Sequence, residues 1–151
     1  MRSLRLCLVA ILSGALAAGC GPSGPVADAA ATLDGLPLQR GFYVASDTPC
    51  AQASNATLAL IHREGVNGAR DGCTFEAIEQ IGPTSYRVTQ TCSAFGGGGD
   101  GQETSIVVYE IPDETRYTAR SDSGWVQDAR YCAQSSLPDP WRDNDISDIL
   151  Q

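Results

Sequence analysis

The chain has no lysine among its 151 residues, and all ten of its cations are arginines. Two of these, Arg2 and Arg5, stand at the N-terminus. From Cys20 onward, eight arginines face all 18 acidic residues, a net charge of about −10. A surface of this sign argues against nucleic acid as a partner, because binding phosphate needs a basic face. It also disfavours attraction to anionic lipid headgroups, while it suits solubility or a basic protein partner. The missing lysine removes one nucleotide motif as well. Ser93 to Gln102 includes a glycine run, but a phosphate-binding loop of the P-loop type ends in Lys before Ser or Thr. The calcium-binding nonapeptide pattern requires its Asp one place later and several copies. The run therefore reads as a connection between two strands.

Histidine is nearly absent too, with His62 the one example. It falls within or just after an apolar strand, and no Ser or Cys nucleophile can be placed beside it. It reads as a structural or surface residue, not a general base. A metal site needs several His, Cys or carboxylate ligands at set spacing. Asp139, Asp143, Asp145 and Asp148 cluster near the C-terminus, but without the Gly and terminal Glu of a calcium loop. Paired carboxylates for glycosidic chemistry need a deep cleft, which a domain this small rarely provides. The expectation is a non-catalytic protein with no cofactor and no metal.

Long apolar runs are also lacking. Leu6 to Ala18 is apolar or small apart from Ser13, but it is shorter than the roughly 20 residues of a membrane-spanning helix. With Arg2 and Arg5 ahead of it, it reads as a targeting segment to be removed. Leu16-Ala17-Ala18-Gly19-Cys20 follows. This resembles the lipobox of bacterial lipoproteins, with Leu16 one place further from the cysteine than that family usually has it. The resemblance implies cleavage before Cys20, a diacylglycerol on its thiol and often a further acyl chain, such as palmitate, on its new amine. Gly21 is not the Asp that retains such proteins at the inner membrane, so the resemblance implies the outer membrane, facing the periplasm. The cysteine count agrees. Cys7 lies in the signal, and Cys50, Cys73, Cys92 and Cys132 can pair fully, which leaves Cys20 as the odd thiol in an oxidising compartment.

The mature chain of 132 residues fits one domain. Residues 20–38 read as a lipidated tether, rich in Gly, Pro and Ala, with a reach of roughly 25 Å; Ala27 to Leu33 has room for a short helix. Residues 39–151 read as a single β domain. Seven β-prone runs are separated by turn residues: Gly41–Ala45, Thr57–His62, Cys73–Ile81, Thr84–Cys92, Thr104–Ile111, Arg116–Arg120 and Trp125–Cys132. Gly65, Asn67 and Gly68 read as a turn. The fold class expected is all-β, a small antiparallel meander or barrel of about seven strands. Around Gly82-Pro83, a hairpin with a turn of two or four residues puts Cys73, Phe75, Ala77 and Ile81 on one face with Tyr86, Val88 and Cys92. Thr74, Glu76, Gln80, Ser85, Arg87, Thr89 and Thr91 take the other face, with Ile78 as the exception.

Four cysteines allow three connectivities. In a seven-strand up-and-down order, Cys50 and Cys132 share one end and Cys73 and Cys92 the other. This predicts Cys50–Cys132 and Cys73–Cys92. After Cys132, Asp139 is placed to N-cap a short helix with Pro140 at its first position. Trp141, Ile146, Ile149 and Leu150 would then pack back on the domain from a tail that starts near residue 137.

Gly41-Phe42-Tyr43 is similar to the Gly-x-Trp opening of lipocalins, with Tyr43 where that family has Trp. Small anchored β-barrels with a disulfide also include periplasmic lysozyme inhibitors, though no inhibitor signature covers this chain. These likenesses imply a small-ligand binder or an enzyme inhibitor. For inhibition, the contacts would come from the glycine-rich loop or from the Asp47 to Asn55 loop. The function expected is an anchored envelope protein with a binding or structural role and an envelope protein as possible partner.

Overall fold

The computed structural model describes residues 32–95 and 101–150. The expected signal peptide, the lipobox and Cys20 lie outside the described residues, as do residues 96–100 of the glycine run. Eight strands form a closed antiparallel barrel in sequence order: β1 (Gly41–Ala45), β2 (Leu58–His62), β3 (Gly65–Asn67), β4 (Asp71–Gln80), β5 (Ser85–Ala94), β6 (Gln102–Asp113), β7 (Arg116–Ser121) and β8 (Val126–Tyr131). β1 closes on β8 through Tyr43 opposite Tyr131 and Ala45 opposite Ala129. Among the described residues, helical structure is limited to three single 3₁₀ turns, and no helix is long and apolar enough to cross a membrane.

The strand beyond the expected seven is β3, whose glycine the sequence presents as a turn signal. Gly65 instead pairs with Thr74, and a Cβ on it would lie 1.9 Å from the backbone oxygen of Cys73. Glycine is there because two backbones nearly touch. The even count matters for closure. In an up-and-down meander, first and last strands run antiparallel only when their number is even.

The β4–β5 hairpin departs from the expected alternation. Cys73, Thr74 and Phe75 pair with Cys92, Thr91 and Gln90. The register then slips at Glu76, so that Ala77, Ile78 and Gln80 face Thr89, Val88 and Tyr86. This β-bulge inserts one residue and reverses the facing of everything beyond it. Ile78, the misfit of the regular pattern, is a core residue at 3 % exposure, and Ile81, expected inside, is 41 % exposed. The bulge also lengthens the turn, which spans residues 81–85 and is closed by bonds between Ile81, Gly82 and Ser85.

Inside the barrel lie Tyr43, Ile61, Ile78, Tyr86, Val88, Val107, Tyr109, Ile111, Tyr117, Ala119 and Ala129, with Tyr131 and Phe75 against them. All five tyrosines of the chain are therefore in or against this core. Phe75, Tyr109, Tyr117, Tyr43 and Tyr131 form a continuous aromatic row with ring centroids 5.3–6.2 Å apart. Such pairs add to simple area burial.

The connections β2–β3, β4–β5 and β6–β7 lie at one end, the base. Residues 32–38, read from the sequence as tether, close it. Thr32 bridges to Glu79, Leu33 N–H donates to Ile78 O at 3.0 Å, and Leu33, Leu36 and Leu38 pack on the core. The segment runs as extended chain at Thr32 and Leu33, where the sequence left room for a helix. Tyr43 Oη lies 2.9 Å from Gln39 O and 2.8 Å from Glu114 O, tying this arm to the β6–β7 turn.

The wall outside β1 and β2 is apolar: Phe42, Val44 and Leu60 cluster there with Ala53, Cys132 and Leu137. The C-terminal tail covers it through Trp141, Ile146 and Leu150, while Ile149 stays 40 % exposed. The tail's 3₁₀ turn is Trp141–Asp143 with Pro140 at its N-cap position. Asp139 does not cap it and instead pairs with Arg142 at 2.5 Å. Elsewhere the outer wall is mostly polar, with Arg87 against Glu79, Ser85 on Glu110 and Thr91 beside Thr104, and with Ile106 and Val126 as exposed apolar residues.

Both expected disulfides are present, Cys50–Cys132 and Cys73–Cys92. The second joins directly opposed residues of β4 and β5. The first forms because the loop after β1 folds back along the outside of the barrel. Arg130 holds it there, donating to Thr48 O at 2.8 Å and lying 3.0 Å from Cys50 Sγ. The two bridges thus do not sit at opposite ends as the seven-strand order had them. One is on the outer wall, and the other is inside, near the open end.

Candidate functional site

Inner columns of the barrel change character along their length. On β5 the inward sequence runs Tyr86, Val88, Gln90, Cys92. On β6 it runs Ile111, Tyr109, Val107, Ser105, Glu103, and on β8 Tyr131, Ala129, Gln127. In each, apolar residues at the base give way to polar ones towards the end that carries the β1–β2, β3–β4, β5–β6 and β7–β8 connections. That end is open. A cavity of about 540 Å³ is lined there by Gln90, Cys73, Cys92, Glu103, Ser105 and Gln127, with Val66, Val107, Tyr109 and Tyr117 on its apolar side and Trp125 at the rim. The barrel is thus filled at the base and hollow at the mouth, and the aromatic row supplies the boundary.

Gln90 is the unusual residue of this mouth. It is 7 % exposed, the one buried polar side chain among the described residues. Its Nε2 donates weakly to Cys92 Sγ at 3.4 Å, and its Oε1 has no partner among the described residues. An orphaned buried acceptor costs about 1–3 kcal/mol, so a donor that reached it would be favoured. Turned over, the amide would set its oxygen against the Cys92 sulfur, which in a disulfide has no hydrogen to donate, and would leave its nitrogen unpaired as well. Nearby, Tyr117 Oη donates to Gln127 Oε1 at 3.4 Å. Burial pushes the phenols of Tyr109 and Tyr117 well above the ordinary tyrosine range, and Tyr117 is raised further by Tyr109 and Tyr43. They remain neutral at the floor of the site.

The residues singled out in the sequence lie elsewhere. His62 ends β2 at the base, in a shallow recess with Asp34, Leu36, Arg40 and Arg63, and no Ser or Cys lines that recess. Asp139 and Asp143 face Arg142, and Asp145 accepts from Ser147, which lowers its pKa. These carboxylates serve local turns, and no three metal-ligating side chains converge among the described residues. The Asp47 to Asn55 loop is pinned to the barrel wall by Cys50, and Asn55 reaches the rim of the cavity. Phe95, at the near edge of the glycine run, is 56 % exposed.

Gln90 was missed by reading faces only for their apolar members. Its signal was a glutamine at even spacing after Tyr86 and Val88, in a column that should be apolar throughout. No protein-family model, no curated protein and no solved structure matches the chain.

Proposed function

We propose that this protein is a non-catalytic, lipid-anchored lipoprotein of the cell envelope that binds a small molecule in the mouth of its barrel. One observation carries the reading: an open cavity of about 540 Å³ lined in part by a buried glutamine with an unsatisfied carbonyl. That volume lies within the range of small-molecule sites, which are apolar clefts with a few converging polar groups. The lipobox-like Leu16 to Cys20 supports anchoring, and Gly21 the outer membrane. The chain enters the barrel at the base, where residues 32–38 pack. An anchor upstream of them leaves the opposite end, the mouth, clear of its own attachment.

The test has two arms. Full-length protein made in a bacterial envelope is expected to enter the detergent phase on partition, and Cys20→Ser to stay in water. Protein purified in detergent is expected to release a small molecule on organic extraction. Ser105→Trp, which drives a large side chain into the cavity, is expected to remove that molecule without unfolding the barrel. Equal extracts from the two proteins would refute the binding reading, and equal partition of the Cys20 variant would refute the anchor.

A further inference from the structure

Resting on the mouth as a binding site, we infer that its ligand is a small amine, an ammonium group carried on a flat apolar body. Four observations converge on this chemistry. The first is charge. Among the described residues that line the cavity, Glu103 and Asp71 are carboxylates and none is Arg or His, in a chain without lysine. Glu103 stands on the inward column of β6, directly opposite Cys92. A carboxylate-bearing or phosphorylated ligand would meet like charge there and find no counter-ion.

The second is hydrogen bonding. Gln90, more than nine-tenths buried and part of the cavity wall, carries an amide oxygen that has no partner among the described residues. Ser105 stands opposite it on β6, and the two frame one level of the mouth. A group that only donates, as an ammonium does, suits an acceptor such as the Gln90 amide oxygen, and its charge suits the Glu103 carboxylate one level nearer the opening. The third is the aromatic floor and rim. Tyr109 and Tyr117, with centroids 5.5 Å apart, and Trp125, half exposed, offer ring surface to an apolar body or to the cation itself. The fourth is long-range: a protein of net charge −8 over its full sequence raises the local concentration of cations at such an opening.

The experiment uses three probes of nearly equal shape: 2-phenylethylamine, 3-phenylpropionamide and 3-phenylpropionate. Each is titrated into the full chain in detergent at low salt and read by the side-chain amide resonance of Gln90 and by Trp125 fluorescence. The amine is expected to bind at least tenfold more tightly than the carboxylate, with the neutral amide between them. Glu103→Gln, at an exposed position that leaves the core untouched, is expected to weaken the amine about fivefold and leave the amide unchanged. Raising the salt is expected to weaken the amine alone. Gln90→Met is expected to weaken both donors; if that variant fails to fold, Glu103→Gln still decides the matter. Carboxylate binding as tight as amine binding would overturn the inference and leave the mouth as a binding site. No response to any probe up to 10 mM would overturn it too, and the Ser105→Trp extraction then decides whether the binding reading falls with it.

Discussion

Removing the two disulfides separately should cost different amounts, and the order follows from where they close the chain. Cys50 and Cys132 are 82 residues apart in sequence, and Cys73 and Cys92 only 19. Cross-linking restricts the unfolded chain by an entropy that grows with the logarithm of loop length. At 25 °C this gives about 4.5 kcal/mol for the longer loop and about 3 kcal/mol for the shorter. Side-chain burial widens the gap. Cys132 is 1 % exposed and packed between Phe42 and Leu137, so truncating it leaves a void, whereas Cys73 and Cys92 already border the open mouth. For a domain of this size each kcal/mol moves the midpoint by about 4 °C, so Cys50→Ala with Cys132→Ala should lower Tm by about 18 °C, and Cys73→Ala with Cys92→Ala by about 12 °C. The assay is thermal unfolding followed by far-ultraviolet circular dichroism, in a background with both Cys7→Ser and Cys20→Ser so that no odd thiol exchanges. If the short-loop pair proved the costlier, or the long-loop pair cost less than 1 kcal/mol, the argument from loop closure would fail for this barrel.

Gly65→Ala should destabilise by about 3 kcal/mol, because the new methyl would lie 1.9 Å from the Cys73 backbone oxygen, which belongs to a paired strand and cannot move alone. Urea titration checks this, and a neutral effect would show that β3 is not held so close. Asp113 is predicted to contribute acid sensitivity. Its bonds with Arg116, and then with Thr115, hold its pKa down at about 2 in the fold. A carboxyl depressed in the folded state stabilises above its ordinary pKa near 4 and loses that contribution as the pH falls towards 2. Asp113→Asn should therefore flatten the fall in Tm between pH 4 and 2, and leave the difference from wild type constant above pH 5.

Much of the barrel is legible from sequence because alternation is local. The run Gly41 to Ala45 is a strand with those bounds, and the others agree to within two residues at most ends. Polar residues such as Arg87 and Thr89 mark the outside of β5 as plainly as Tyr86 and Val88 mark the inside. Three features are not legible in this way. Gly65 carries the composition of a turn while filling a strand position, because the reason for glycine is a neighbour distant in sequence. The bulge at Glu76 is equally silent, since either register leaves a tolerable pattern until Ile78 is asked where its side chain goes. Leu33, Leu36 and Leu38 looked like tether because their partners, Ile78 and the barrel base, are supplied by later strands.

The sequence by itself determined the β class and the spans of seven of the eight strands, since each rests on alternation and spacing along the chain; the cysteine pairs followed only once a strand order was assumed, and the fold joined them for a different reason. Closure at eight strands, the plugged base and the half-empty mouth arose only in three dimensions. A cavity is a property of what stands opposite what. Gln90 is an ordinary strand residue until the closed barrel sets it beside Ser105 in the wall of a cavity that Gln127 and Tyr117 also line, with no partner for its carbonyl among the described residues.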